Sequence, residues 1–322
     1  MNFIKRNLFI VLSLLLVVVL AACGSKGAAT AEPKEESADV TEEKSTTSLI
    51  ETGMGEVEIP TEPEKIATLV GPFAEHLVTL GVKPYAADSS FDGAENQFEL
   101  HLAAQMEGTV PLGGTWTPNM EAILGAGPDV ILSIKAVHEK AYEDLSKIAP
   151  TVLLDKPHED WRAALLKTAE IVGKEELAQQ RIEEYEKKYK EAGEKVRAAI
   201  GEETVLYMRV LPKEIRIYHG KGPQGTVLYK ELGLTPPDGI LMDSEADAIQ
   251  MEKLTEIDPD HIFLLNSAPE RIEEFKNHPV WKNLKAVKEN HVYDGSKEVW
   301  PYGSGYISQT TAIDYIIETL TK

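Results

Sequence analysis

The sequence predicts an α/β fold made of two similar lobes joined by a long backbone helix, and three observations support this prediction. Short apolar runs alternate with amphipathic segments from Ile66 to Leu154, and the same alternation resumes at Val205. One block of sequence occurs in both regions. Between them, a long amphipathic stretch has helical periodicity. We therefore expect a mostly parallel sheet in each lobe, with a ligand site at the ends of its strands.

Residues 1–22 have the layout of a secretory signal. Lys5 and Arg6 precede an apolar run from Leu8 to Leu20, which is short for a membrane-spanning helix. The following Leu20-Ala21-Ala22-Cys23 resembles the bacterial lipobox, in which the cysteine carries lipid and becomes the mature N-terminus. The alternative is a signal anchor that stays in the membrane.

The composition excludes several classes of function. The chain has 33 Lys+Arg against 53 Asp+Glu, a formal net charge of −20, so it lacks the basic footprint that nucleic acid requires. Cys23 is the one cysteine in the sequence, which excludes a disulfide framework, a cysteine-based zinc site and an iron–sulfur cluster. The segment 23–56 is predicted to be the lipidated cysteine followed by a disordered tether, because large apolar residues are almost absent from 24–48.

The ordered part of the chain is predicted to contain an N-terminal α/β lobe, a linking helical segment and a C-terminal α/β lobe, over residues 57–158, 159–201 and 202–322. Within the linking segment, helices are predicted over Trp161–Val172 and Leu177–Ile200, with a break at Gly173. Apolar residues of the second helix recur at steps of three and four, which is typical of a surface helix with one buried stripe.

The repeated block consists of Met-Glu followed, seven residues after the glutamate, by Pro-Asp and an apolar run. Glu121 precedes Pro128-Asp129 in the first copy, and Glu252 precedes Pro259-Asp260 in the second. Each copy predicts an amphipathic helix that ends at the proline and a buried strand behind it. Two copies on opposite sides of the central helix indicate two related lobes.

Signatures of enzymes and metal proteins are missing from the sequence. It contains no nucleotide-binding glycine-rich loop, no Gly-x-Ser-x-Gly and no His-Glu-x-x-His. The eight histidines are scattered, without two at the spacing of metal ligands. We therefore predict a binding protein without catalytic residues or direct metal ligands.

Candidate ligand-binding residues lie at the ends of predicted strands. Arg209 on one strand and Arg216 and Tyr218 on the next flank a likely hairpin at 211–214, and the two guanidinium groups would suit an anionic ligand. A surface or inter-strand salt bridge is the alternative for each arginine. The remaining candidates are an aromatic group before the last helix and three residues of the first lobe: Trp300, Tyr302, Tyr306, Trp116, Lys135 and His138. Packing would explain Trp116 equally well.

With these motifs together, the chain resembles the substrate-binding lipoproteins of iron–siderophore ABC transporters in Gram-positive bacteria, from about Val57 to Leu320. The most similar stretches begin at His138 and at Arg216, and they are closest to the hydroxamate and citrate–hydroxamate branch. Citrate-type relatives often have arginine at the positions that Trp116 and Val137 occupy here.

The resemblance implies two Rossmann-like lobes, a rigid linking helix and a ferric siderophore in the cleft between the lobes. It also implies that the siderophore's own oxygens enclose the iron, so the protein supplies cationic and aromatic contacts. Glu121 and Glu252 correspond to glutamates implicated in docking to a permease dimer; stabilisation of helix N-termini is the alternative. We expect a monomer that is lipid-anchored at the extracellular face. A haem or cobalamin binder, and an extracellular hydrolase or adhesin, are the other hypotheses.

Overall fold

The computed structural model describes residues 46–89, 98–156, 160–301 and 305–322. The predicted signal peptide, Cys23 and Tyr302 lie outside the described residues. In the described part, no helix is both long enough and apolar enough to cross a membrane.

An antiparallel hairpin precedes the first lobe, formed by β1 (Thr47–Thr52) and β2 (Gly55–Pro60). Ile50 and Ile59 are each 1% exposed and pack with the apolar core of the first lobe. The predicted extent of the tether to residue 56 is therefore wrong, since Thr47–Thr52 and Gly55–Pro60 are strands. A strand with one buried face needs few apolar residues, so the composition of this segment did not distinguish a strand from a disordered tether.

The first lobe contains a five-stranded sheet in the order β5-β4-β3-β8-β9, in which every neighbouring pair is parallel. This confirms the parallel sheet that the sequence predicts. The elements of the lobe are β3 (Ile66–Thr68), α1 (Gly71–Thr79), β4 (Ala86–Ala87), β5 (Val110–Pro111), the small hairpin β6 (Gly113–Gly114) and β7 (Thr117–Pro118), α2 (Met120–Ala126), β8 (Val130–Ile134), α3 (Lys135–His138), α4 (Tyr142–Ser146) and β9 (Thr151–Leu154).

The linking segment consists of α5 (Trp161–Val172) and α6 (Glu175–Ile200). Gly173 ends α5 with a φ of +63°, a left-handed conformation that favours glycine. The predicted helix pair and its break are confirmed. Ile182, Tyr185 and Val196 form part of the buried stripe of α6, which packs against α5 and the last helix of the chain.

The second lobe also has a five-stranded sheet, in the order β12-β11-β10-β13-β14. Strand β13 is parallel to both of its neighbours, β10 and β14, whereas β11 is antiparallel to both of its neighbours, β10 and β12. The prediction of a mostly parallel sheet is therefore only partly right here. The elements are β10 (Val205–Val210), β11 (Ile215–Tyr218), α7 (Pro223–Gly225), a π-helix (Thr226–Glu231), β12 (Ala246–Ile249), α8 (Lys253–Ile257), β13 (His261–Asn266), α9 (Ile272–Asn277), α10 (Pro279–Asn283), α11 (Lys285–Lys288), β14 (Val292–Asp294) and α12 (Tyr306–Leu320).

The repeated block has the same structural role in both lobes. A helix, α2 or α8, leads into the strand that pairs in parallel with the first strand of its lobe. The carboxylate of Asp129 accepts hydrogen bonds from the backbone N–H groups of Glu64 and Lys65, just before β3. Asp260 does the same for Thr204, just before β10. In both lobes the aspartate of Pro-Asp therefore fixes the start of a central strand.

Candidate functional site

The two lobes meet where α1, the helix that follows the carboxyl end of β3, packs against α12 of the second lobe. Glu75 on α1 accepts hydrogen bonds from the backbone N–H and the hydroxyl of Ser308, in the first turn of α12, at 2.7 and 2.9 Å. Burial raises the pKa of Glu99 in the first lobe, and Lys297, which follows β14 in the second lobe, is close enough to oppose this effect. Ligands of open α/β sheets bind at the carboxyl-terminal edge of the sheet, so this junction is the candidate site.

Arg209 and Arg216 lie directly opposite each other on β10 and β11. This confirms the predicted hairpin across residues 211–214. Both arginines are half-buried; Arg209 donates from Nε to Ser267 Oγ at 2.8 Å, and Arg216 forms an ion pair with Glu214. Like charges directly opposite each other in a sheet are unfavourable. The pair therefore suits an anionic ligand at the end of β10, and Glu214 bears out the salt-bridge alternative for Arg216 at the same time.

Aromatic side chains lie behind the arginines on the same face of the sheet, because side chains alternate between faces along a strand. Tyr207 is opposite Tyr218, and their rings meet edge to face at 5.3 Å. Trp300 also contacts Tyr207, with 4.8 Å between ring centroids, and is 2% exposed. Trp300 and Tyr218 are buried in the core beneath the edge, and their predicted contact with a ligand stays a prediction.

Tyr306 lies on the side of α12 that faces the linking helix. Its hydroxyl donates to Glu184 Oε2 at 3.2 Å, and its ring lies 5.6 Å from the guanidinium carbon of Arg181. The structure therefore gives Tyr306 a role in attaching α12 to α6, and its predicted ligand contact stays a prediction.

In the first lobe, Trp116 is at the tip of the β6–β7 hairpin with 79% of its surface exposed. The hydroxyl of the preceding Thr115 donates to Asp88 Oδ2 at 2.7 Å, which ties the hairpin to the end of β4. Burial raises the pKa of Asp88 to about 6, and the Thr115 hydrogen bond opposes this effect. Packing does not explain Trp116, so its ring is available to a ligand.

Lys135 and His138 follow β8, as predicted, but both have structural partners. Lys135 Nζ donates to the carbonyl of Gly53 at 2.8 Å and so holds the N-terminal hairpin against the lobe. His138 is 3% exposed, with Nδ1 at 2.6 Å from Ser133 Oγ, and burial lowers its pKa. These contacts favour a supporting role for both residues.

A buried acid–base cluster at the junction escaped the sequence analysis. Glu75 is 1% exposed, and His101 Nε2 lies 3.4 Å from its carboxylate, while His101 Nδ1 lies 3.4 Å from Glu99. Burial acts to raise the pKa of Glu75, but His101 and the Ser308 N–H lower it below the usual value of 4.5. A Cβ at Gly305 would lie 2.6 Å from the Glu75 carboxyl carbon, so glycine is needed there for the close approach.

A recess of about 450 Å³ opens at the end of β9, beside the N-terminal hairpin and the start of α5. Its volume is in the range of small-ligand pockets. Asp155, Lys156, Asp160 and Lys167 line it with mixed charge, and none of the predicted ligand-binding residues does. The recess therefore lies at the carboxyl end of β9, on the side of the first lobe.

Glu121 and Glu252 are exposed at equivalent places of the two lobes. Glu121 is in the first turn of α2, and Glu252 is the residue that precedes α8. Neither carboxylate pairs with another side chain in the described ranges, and Glu252 makes no capping hydrogen bond. Both carboxylates are therefore accessible to a partner.

Comparison with known proteins gives a consistent result. The chain matches the model of the family described as periplasmic binding protein over residues 66–299. It is 31% identical over 324 residues to the iron-uptake system-binding protein of Bacillus subtilis, an alignment that covers 99% of each chain.

Two solved structures share its fold. Staphylococcus aureus SirA, complexed with staphyloferrin B, has a TM-score of 0.73 and 27% identity, covering 85% of this chain and 98% of that one. The triscatecholate siderophore binding protein FeuA of Bacillus subtilis, complexed with ferri-bacillibactin, has a TM-score of 0.71 and 30% identity, with the same coverage. The predicted two-lobed α/β fold is confirmed.

Proposed function

Because this chain belongs to the periplasmic binding protein family, we propose that it captures a ferric siderophore at the junction of its lobes and delivers it to an ABC permease. The family consists of substrate-binding proteins and not of enzymes. This confirms the prediction of a binding protein without catalytic residues, and it confirms the family resemblance seen in the sequence. The names of its relatives refer to iron uptake and to ferric siderophores. The observation that carries the proposal is the arginine pair, Arg209 and Arg216, at the edge of the second sheet.

The chemistry of the siderophore can be narrowed by charge. A ferric tris-hydroxamate centre is neutral, because three singly charged groups balance Fe³⁺, whereas citrate-containing and catecholate complexes are anionic. The sequence predicts a hydroxamate or citrate–hydroxamate ligand, and the arginine pair favours an anionic complex. Within the sequence-based prediction we therefore favour the citrate–hydroxamate type. A catecholate is the second candidate, because FeuA, at 30% identity, is a triscatecholate binder.

Titration of the purified protein with a panel of ferric siderophores tests the proposed function. We expect one anionic ferric siderophore to quench tryptophan fluorescence with saturation at one equivalent, because Trp116 is 79% exposed beside the candidate edge. The iron-free forms and a neutral ferric tris-hydroxamate serve as controls. Absence of saturable binding across hydroxamate, citrate–hydroxamate and catecholate complexes would contradict the proposal, and binding of haem or cobalamin with its own absorption band would favour that alternative.

Anchoring to the extracellular face of the membrane is a second part of the proposal. It rests on Cys23 and the preceding Leu20-Ala21-Ala22, which resemble a lipobox. Acyl chains stabilise membrane attachment by about 0.8 kcal/mol per buried methylene, so two or three chains would hold an acidic protein at the membrane. We expect mass spectrometry of the mature N-terminal peptide to show acylated Cys23. An unmodified Cys23, or a retained Met1, would contradict this part.

Docking to the permease is proposed for Glu121 and Glu252, which are exposed and equivalent in the two lobes. We expect the Glu121→Ala/Glu252→Ala variant to reduce siderophore uptake in cells at least tenfold, while siderophore affinity and melting temperature stay nearly unchanged. A stabilising effect on the helix N-termini would instead amount to about 0.3–1 kcal/mol per site and appear in melting. The exposed pair Glu194→Ala/Glu273→Ala is the control for charge. Wild-type uptake by the Glu121→Ala/Glu252→Ala variant would show that docking uses other residues.

A further inference from the structure

Two histidines and a glutamate come together at the amino-terminal edge of the second sheet. The potential ligand atoms of Glu203, His261 and His291 all lie within 4.8 Å of one another. His261 Nε2 is 2.7 Å from Glu203 Oε2, and the two imidazole rings stack with 4.5 Å between centroids. The spacing of the histidines along the sequence did not indicate this group, because His261 and His291 come together only through the fold.

The sheet register explains why distant residues meet here. His261 is the first residue of β13, and His291 immediately precedes β14, its parallel neighbour. Because Ile262 pairs with Val292, the two histidines stand side by side. Glu203 lies two residues before β10, on the other side of β13.

Each histidine has an outer partner at Nδ1, which leaves Nε2 directed to the cluster. His261 Nδ1 lies 3.0 Å from the Tyr293 hydroxyl, and His291 Nδ1 lies 3.2 Å from the backbone carbonyl of Asp260. Histidines that bind metals commonly donate their second ring N–H to such a group, which fixes the tautomer and the ring orientation. The two imidazole rings are therefore held in an orientation that suits metal binding.

Charge and access also suit a cation. Glu289 lies 3.7 Å from His291, and Asp260 is adjacent, while Lys285 is paired with Asp260. Together with Glu203, three carboxylates therefore surround the two histidines, and Lys285 is the one ammonium group beside them. His261 is buried, but the side chains of Glu203 and His291 are 43% and 33% exposed, so an ion and its water ligands can enter.

We propose that Glu203, His261 and His291 form a binding site for a divalent transition-metal ion, with Zn²⁺ as the first choice. Two imidazoles, one carboxylate and water form a common Zn²⁺ ligand set. Strand β10 separates this edge from Arg209 by about 15–20 Å at roughly 3.3 Å per residue. The site is therefore separate from the proposed siderophore site, and Zn²⁺ binding does not depend on the proposed function.

Calorimetric titration of the full chain with ZnCl₂, in protein purified without a polyhistidine tag or siderophore, tests this inference. We expect one equivalent of Zn²⁺ to bind with micromolar or tighter affinity and to raise the melting temperature, whereas Mg²⁺ does neither. His291→Ala and Glu203→Gln should each weaken binding at least tenfold. Tyr293→Phe, which removes an outer partner and keeps the ring, should weaken it about tenfold.

Controls match each change by residue type. Glu202→Gln removes an exposed carboxylate next to the cluster, and His278→Ala removes the N-cap histidine of α10, outside the cluster. Both should keep wild-type affinity, and Cys23 is present in every variant. No Zn²⁺ binding by the wild type, or equal affinity in folded His291→Ala and Glu203→Gln, would overturn the proposal.

Discussion

Replacing both Arg209 and Arg216 with alanine is expected to weaken binding of an anionic ferric siderophore about a hundredfold to ten-thousandfold. A hydrogen bond to a charged group contributes about 1.5–3 kcal/mol, and each 1.4 kcal/mol corresponds to a factor of ten in affinity. The two side chains are opposite each other on β10 and β11, so one ligand can contact both. Fluorescence titration measures the effect directly.

The size of the effect should depend on the charge of the ligand. A neutral ferric tris-hydroxamate should lose much less affinity than a citrate-containing or catecholate complex. The neutral ligand loses only hydrogen bonds to the arginines, whereas an anionic ligand also loses ion pairs. Substitution by lysine keeps the charge but removes the planar fork, so Arg209→Lys/Arg216→Lys should lie between wild type and the alanine variant.

A matched control removes two positive charges elsewhere in the same lobe. Lys282 and Lys288 are exposed on α10 and α11, and the Lys282→Ala/Lys288→Ala variant should bind like the wild type. If the arginine variant folds normally and binds every anionic complex as tightly as the wild type, Arg209 and Arg216 are not part of the ligand site.

Glu75→Ala is expected to lower the free energy of unfolding by about 3–5 kcal/mol, the cost of removing one partner from a buried ion pair. The variant removes the Glu75 carboxylate from His101 and from the backbone N–H and hydroxyl of Ser308 at the junction of the lobes. Glu75→Gln should cost less, because the amide oxygen can still accept from the Ser308 N–H. Urea denaturation followed by circular dichroism measures both.

The pH dependence distinguishes the ion pair from simple packing. The pKa of Glu75 is lowered below 4.5, so its contribution is fully present above pH 4.5 and is lost as pH falls through the lowered pKa. The pKa of His101 is raised above 6.5: burial opposes this, and Glu75 outweighs it. The contribution of His101 is thus present below pH 6.5 and lost as pH rises through the raised pKa.

The difference in unfolding free energy between wild type and Glu75→Gln should therefore be largest between pH 4.5 and 6.5 and smaller on either side. Glu194→Ala, an exposed substitution in the C-terminal part of α6, is the control and should change stability by less than about 0.5 kcal/mol at every pH. A flat difference between pH 3 and pH 9 would show that the Glu75–His101 pair carries no ionic stabilisation.

The sequence by itself determined what depends on neighbours along the chain. Helical periodicity and Gly173 were sufficient for the linking helices, and the Met-Glu to Pro-Asp spacing was sufficient for two related lobes. Both signals arise from local geometry, since the period of a helix and the conformation of a glycine are set within a few residues. The hairpin that aligns Arg209 with Arg216 is local for the same reason.

Only the tertiary structure decided which side chains share a space. Glu75 meets Ser308 across 233 residues, His261 stands beside His291 through strand register, and Trp300 is buried against Tyr207. An aromatic residue in a glycine-rich loop looks the same in the sequence whether it faces a ligand or the core. Burial and pairing depend on the packing of elements that are far apart in the chain, and no local pattern carries that information.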